Sequence, residues 1–167
     1  MSRRLPGSVK EMFINPEMFG IKPGRDVTEG FVNLFNTIKG SSSERTVTLT
    51  RGVYYFYAEN AAQRELFITN TIARDEYHRD ESPNIRRVAL YMEDIFNLTI
   101  DGSGSTFILG GALTHMAIVN CKNITIKNIE IDVYKPDIHK LTVTEASPFR
   151  AQYKVDESSD FTEEHGK

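Results

Sequence analysis

The sequence holds a single cysteine, Cys121, which excludes an internal disulfide and leaves the redox compartment open. No apolar run approaches the length needed to cross a bilayer. Charge of one sign is also missing: 20 basic against 23 acidic residues give a formal net charge of -3, and no block of like charge stands out. That removes the electrostatic case for nucleic acid or an anionic membrane as partner. The pair Arg86-Arg87 is too short to be a patch. The start, Met1-Ser-Arg-Arg-Leu-Pro-Gly7, is basic but lacks the apolar stretch of a secretory signal, so the localisation stays open. What is present is 40% hydrophobic and 26% charged residues over 167 positions, enough for one ordinary domain with a real core.

After the turn-forming Gly20-Ile-Lys-Pro-Gly24, Val27, Phe31, Leu34, Phe35 and Ile38 recur at helical spacing, with Asp26 or Thr28 available as the N-cap. Gly40 and Ser41 to Ser43 end this amphipathic helix. The period then changes from 3.6 to 2. Thr46-Val-Thr-Leu-Thr50, Val53-Tyr-Tyr-Phe-Tyr57, Leu66-Phe-Ile-Thr69 and Val88-Ala-Leu-Tyr91 read as short strands, with a charged loop between Asn70 and Asn84.

A repeat follows. Asn97-Leu-Thr-Ile-Asp-Gly102 is echoed by Asn123-Ile-Thr-Ile-Lys-Asn128 at an offset of 26 residues, in the range of stacked repeats. Thr106-Phe-Ile-Leu109 and Met116-Ala-Ile-Val119 lie between the copies, and Ile129-Glu-Ile-Asp132 follows the second. No helix of useful length fits between these strands, which excludes a βαβ crossover. Short strands, corners and a coil-length period predict a mainly β fold: a right-handed single-stranded parallel β-helix of the pectin-lyase-like type. Leu98 and Ile100 would point inward and stack on Ile124 and Ile126. The helix would cap the first coil's open end, whose strand edges are otherwise unpaired.

From Leu141 the pattern reads as a hairpin, Leu141-Thr-Val-Thr144 against Ala151-Gln-Tyr-Lys-Val155, turning near Ser147-Pro148. The chain thus divides into an N-terminal extension (1–19), a cap helix with the first coils (20–138), and a hairpin that starts an inserted or following β element (139–167). Read this way the β-helix is truncated, and its open end predicts self-association unless the hairpin covers it.

Several segments resemble one family. Gly52-Val-Tyr-Tyr-Phe-Tyr57, Leu66-Phe-Ile-Thr-Asn70, Asn97-Leu-Thr-Ile-Asp-Gly-Ser-Gly-Ser-Thr-Phe-Ile-Leu109 and Asn120-Cys-Lys-Asn-Ile-Thr-Ile-Lys-Asn-Ile-Glu-Ile-Asp132 are similar to the β-helical α-1,3-galactosidases of glycoside hydrolase family 110. Lys135-Pro136 and Leu141-Thr-Val-Thr-Glu145 follow in the order such proteins place them. The resemblance implies hydrolysis of a terminal α-linked galactose with inversion, by two carboxyl groups roughly 6.5–9.5 Å apart. Members of the family carry those carboxylates on later coils, so the resemblance implies no catalytic residue here. It also implies that relatives are often secreted or periplasmic. Where some members have a short segment bearing histidine and aspartate, this chain has the longer loop from Thr71 to Glu81.

Among candidate contacts for a sugar, Asp132 leads, because Tyr134, Lys135 and His139 follow it and mix aromatic with polar groups. Asp101 reads instead as a corner residue bonding backbone amides. Asn97 and Asn123 each head an Asn-x-Thr triplet, but matching corner positions that hydrogen-bond each other explain them better than glycosylation. Asp75, Glu76, His78, Asp80 and Glu81 are ligand types without ligand spacing, so no metal and no cofactor is expected. His115 reads as corner or core, and Cys121 as a small residue packed at a corner. Two other classes fit the same elements: a non-catalytic carbohydrate-binding module, and a lyase or epimerase acting on acidic polysaccharide, although the balanced charge supplies no basic groove for the latter.

Overall fold

The structure, a computed structural model, describes residues 11–66, 85–134 and 141–155. It is mainly β, and most of its strand pairings are parallel. Two compact units divide the chain, Met1–Tyr134 and Lys135–Lys167.

The first unit begins with strand β1 (Met12–Ile14) and a 3-10 turn at Pro16–Phe19, closed by Gly20 at a left-handed φ of 76°. Helix α1 (Thr28–Ile38) follows. The Asp26 carboxylate accepts the Thr28 amide at 3.0 Å and its hydroxyl at 2.6 Å, holding an N–H that the first helical turn leaves without a partner. Phe31, Leu34, Phe35 and Ile38 are buried, as their spacing requires.

Strands β2 (Arg45–Thr48), β3 (Val53–Tyr57), β4 (Ala62–Glu65), β5 (Ile85–Glu93), β6 (Phe96–Gly110), β7 (Thr114–Val119) and β8 (Lys122–Val133) complete the unit. They assemble into three ladders. In the first, β1, β2, the first half of β6 and the first half of β8 pair in parallel, with Val47 beside Ile100 and Ile100 beside Ile126. In the second, β3 pairs with the second half of β6, and that with the second half of β8, placing Tyr54, Phe107 and Ile131 in one column. In the third, β5 pairs in parallel with β7, with Leu90 beside Met116.

Leu98 and Ile124 therefore run parallel and in register, as the repeat predicts. The two halves read as separate strands on either side of Gly102 are one strand, β6, and those on either side of Asn128 are one strand, β8. At these corners the chain bends without leaving the ladder. The offset between partners falls from 26 residues at Leu98 and Ile124 to 24 at Phe107 and Ile131, because β6 spends two extra residues between Asp101 and Ser105. Gly102 is required there: a Cβ would stand 2.5 Å from the Asn128 carbonyl oxygen and collide with the Ile129 side chain.

One strand, β4, is not announced by the sequence pattern. Leu66 lies just outside a strand and Phe67 to Thr69 lie outside the described residues, as does the Asn70–Asn84 loop. The strand here is β4, directly before Leu66, and it pairs antiparallel with β5, Ala62 against Val88. Ala-Gln-Arg-Glu carries no β-branched or aromatic signal, so the edge of β5 imposes the extended state.

The core gathers residues from all three ladders and the helix. Phe31 lies 5.5 Å from Phe56 and 5.9 Å from Phe107 between ring centroids, and Phe107 meets Phe56 at 5.0 Å and Tyr54 at 5.7 Å. These separations fall in the favourable range for tilted and edge-to-face rings. Helix α1 thus seals one end of the core. At the other end Ile124, Ile126, Ile129 and Val133 are only half-buried, and Ile118 and Ile131 are exposed. Among the described residues, no strand hydrogen-bonds to the outer edges of β7 and β8.

The second unit contains a hairpin, β9 (Leu141–Ser147) and β10 (Arg150–Val155), antiparallel, with Ser147 opposite Arg150. The expected hairpin is present, with strands longer than their alternation suggests.

Candidate functional site

The corners of the ladders carry most of the polar side chains that the sequence singles out. Asn97 and Asn123 adopt left-handed φ values of 53° and 57°, which asparagine tolerates better than most residues. Asn123 Nδ2 donates to Asn97 Oδ1 at 2.7 Å, and Asn97 Nδ2 donates to the Ser42 carbonyl at 2.8 Å. Both amide nitrogens are engaged, which agrees with the structural reading of the two Asn-x-Thr triplets. At a second corner Asn120 Nδ2 donates to Asp94 Oδ1. At a third, Asn128 Nδ2 donates to Asp101 Oδ1 at 2.9 Å.

Asp101 is therefore a corner residue, as expected. It accepts the Ser103 amide at 2.9 Å and pairs with Lys127 at 3.3 Å. The bond from Asn128, then the Ser103 amide and the Lys127 ammonium, hold its carboxyl below the ordinary carboxylate range. A carboxyl lowered on folding stabilises the fold above its unfolded pKa, and this contribution vanishes as pH falls through the folded value. Asp101→Asn should thus be less stable than the parent at neutral pH, and the gap should close below about pH 4. Thermal melts of both proteins from pH 7 to pH 2.5 would show a constant gap if Asp101 contributed nothing through its charge.

Cys121 sits half-buried at the corner between β7 and β8, its sulfur 3.4 Å from the Ile95 amide that donates to it and 3.2 Å from the Val119 carbonyl. His115 differs from the reading: it is neither corner nor core but exposed within β7. Alternation along β7 turns it outward. Among the described residues no group of three or more His, Cys, Asp or Glu side chains could hold a metal ion. The Asp75–Glu81 cluster lies outside the described residues, as do Lys135 and His139. No described helix is long and apolar enough to cross a membrane.

Two outward surfaces gather polar or aromatic side chains that could meet a ligand. On the first ladder, Ser42, Glu44, Asn97, Thr99, Asn123 and Thr125 line a polar groove of ≈ 350 Å³. Its asparagine amides already serve the fold.

The second surface is the outer face of the β3, β6 and β8 ladder. Register places Tyr55, Ile108 and Asp132 in one column, and Val53, Thr106 and Glu130 in the column beside it. Strand alternation buries Tyr54, Phe56, Phe107 and Leu109 beneath and leaves this set outside. Asp132 is exposed, and one oxygen accepts the Val133 amide at 2.8 Å. That local bond occupies one lone pair of four, so the carboxylate keeps acceptor capacity. The rings of Tyr55 and Tyr57 are parallel within 3°, with centroids 6.3 Å apart. The residues Val-Tyr-Tyr-Phe-Tyr announce a strand, but which tyrosines share a face with Asp132 follows only from the pairing register.

No family model matches the chain. Curated relatives do. The chain is 27% identical over 137 residues to alpha-1,3-galactosidase A of Streptomyces avermitilis, covering 81% of this chain and 21% of that protein. It is 32% identical over 111 residues to alpha-1,3-galactosidase B of Bacteroides thetaiotaomicron, covering 66% and 17%. With alpha-1,3-galactosidase B of Parabacteroides distasonis it shares 33% identity over 99 residues, 59% and 15%. The chain spans about a fifth or less of the length of these relatives. By sequence, then, the chain matches the N-terminal portion of the alpha-1,3-galactosidases A and B.

Proposed function

We propose that the chain forms the first coils and cap of a right-handed parallel β-helix in a glycoside hydrolase that releases terminal α-1,3-linked galactose with inversion. The similarity to alpha-1,3-galactosidases A and B carries this reading. Parallel, in-register stacking of the Leu98 and Ile124 segments supports the architecture, and the aromatic packing of α1 against the core supports its role as cap. The two carboxyl groups that inversion needs lie outside these 167 residues, on later coils. Here one acid protonates the leaving oxygen while a base activates water across a gap of roughly 6.5–9.5 Å. Asp132 belongs to the surface that meets the carbohydrate; Lys135 and His139, which the sequence suggests for the same role, lie outside the described residues. The outer edges of β7 and β8, which no described strand pairs with, make the isolated chain a partner for itself.

The test is turnover of a disaccharide ending in α-1,3-linked galactose, followed by proton NMR. The 167-residue chain alone is expected to release no galactose, and a protein of the relatives' full length that begins with this sequence is expected to release the β anomer first. Turnover by the chain alone would place the machinery within it and overturn the assignment to later coils. Initial release of the α anomer would overturn inversion.

A further inference from the structure

Nothing in the strand pattern alone distinguishes the outer face of the second ladder from any solvated sheet, yet its composition is unusual. Polar side chains are the norm on the outward face of a strand, and here the outward positions of β3 are exposed Val53 and Tyr57 with half-buried Tyr55 between them. The aromatic character continues along the stack. Tyr57 is in register with Gly110, and the backbone amide of Tyr134 bonds the Leu109 carbonyl at 2.8 Å, so the third column runs Tyr57, Gly110, Tyr134.

Gly110 explains how the first tyrosine lies. A Cβ at this position would stand 2.7 Å and 2.9 Å from two carbons of the Tyr57 ring, so the ring leans over the neighbouring rung onto bare backbone. It lies there parallel to Tyr55. Tyr57 stays 39% exposed and Tyr134 68% exposed. Leaving three tyrosines on one face in contact with water is unfavourable for the isolated fold, and none of the described rings stacks on Tyr134. Beside them stand two carboxylates, Glu130 and Asp132, both exposed and on the same face of β8.

The geometry points to a pyranose-binding surface made by Tyr55, Tyr57 and Tyr134, with Asp132 and Glu130 as acceptors for sugar hydroxyls. It deepens the carbohydrate reading above and rests on it. An aromatic face carries negative charge density, and the ring hydrogens of a sugar are weakly positive, so the two stack. Galactose presents such a face well, since its axial 4-hydroxyl gathers three ring hydrogens on the opposite side. A carboxylate accepts from two adjacent hydroxyls at once. From Tyr55 to Asp132 is two rungs, roughly 10 Å at the usual strand spacing. A monosaccharide on the tyrosines would thus direct its hydroxyls, or its next residue, toward the carboxylates.

The chain contains no tryptophan and seven tyrosines, so tyrosine fluorescence reports binding directly. Titration of the full 167-residue chain with a disaccharide ending in α-1,3-galactose is expected to give a saturable change. Tyr57→Ala and Tyr134→Ala should each weaken binding about tenfold, and Tyr57→Phe by less than about twofold, because the ring and not the hydroxyl makes the stack. Circular dichroism of each variant should match the parent. A folded parent chain that shows no saturation, or alanine variants that bind as the parent does, would overturn the surface. Disaccharides ending in glucose and mannose separate the two ideas: equal affinity for all three, lost in Tyr57→Ala, keeps the aromatic surface and removes the galactoside.

Discussion

Phe107→Ala is expected to cost about 3–5 kcal/mol of folding free energy, while Ile131→Ala, its partner on the next rung, costs about 1 kcal/mol or less. The two residues are adjacent in the same inward column of the second ladder. Phe107 is 1% exposed and its ring meets three others, from α1 and from β3. Truncation would leave a cavity that neither the helix nor the sheet can collapse into, because hydrogen bonds fix the rungs on both sides. Ile131 is 41% exposed, and among the described residues no strand pairs with the outer edge of its strand. Since a domain of this size is stabilised by only about 5–15 kcal/mol, the first substitution takes a large share. Denaturant melts at fixed, low protein concentration would measure both. Equal losses would mean that the end carrying Ile131 is covered in solution.

That end gives the second large effect. The 167-residue chain should sediment above its monomer mass of 19.0 kDa as concentration rises. The cause is the combination of outer edges on β7 and β8 that no described strand pairs with and of Ile118 and Ile131 exposed beside half-buried Ile124, Ile126 and Val133. A flat edge with apolar neighbours is a template for another strand. The double substitution Ile118→Lys with Ile131→Lys should raise the dissociation constant at least about tenfold, since each lysine must be desolvated in the contact. Analytical ultracentrifugation would decide it. A monomer at all concentrations, or a variant that associates as before, would remove the open end as the cause.

Much of this fold was legible because successive rungs repeat their chemistry. Leu98 and Ile100 are matched by Ile124 and Ile126, and Asn97 by Asn123, so a single offset predicted both the register and the side-chain bond between the asparagines. Three features were not legible, each for a physical reason. Strand β4 has no pattern of its own and takes its state from β5. Strand β1 is three residues long, below any periodicity, and exists because β2 offers an edge. Strands β6 and β8 run through corners at Ser103-Gly104 and Asn128, where two left-handed residues in β6 and one in β8 turn the chain while the ladder continues, and sequence shows such residues as a break. Of the candidate site, Asp132 could be named from its neighbours, but the tyrosines facing the same way lie some 75 residues earlier in the chain, and only strand pairing joins them.

The corner asparagines have a consequence beyond holding the bends. At each of three corners the later amide hands its hydrogen to the earlier residue: Asn123 to Asn97, Asn120 to Asp94, Asn128 to Asp101. The files all run in one sense, so the stack has a direction, with each later amide spending one N–H on the rung before it. A strand added to the outer edge with an asparagine at the same corner would extend the file by donating in its turn, so one amide per rung is enough to carry the direction of the ladder.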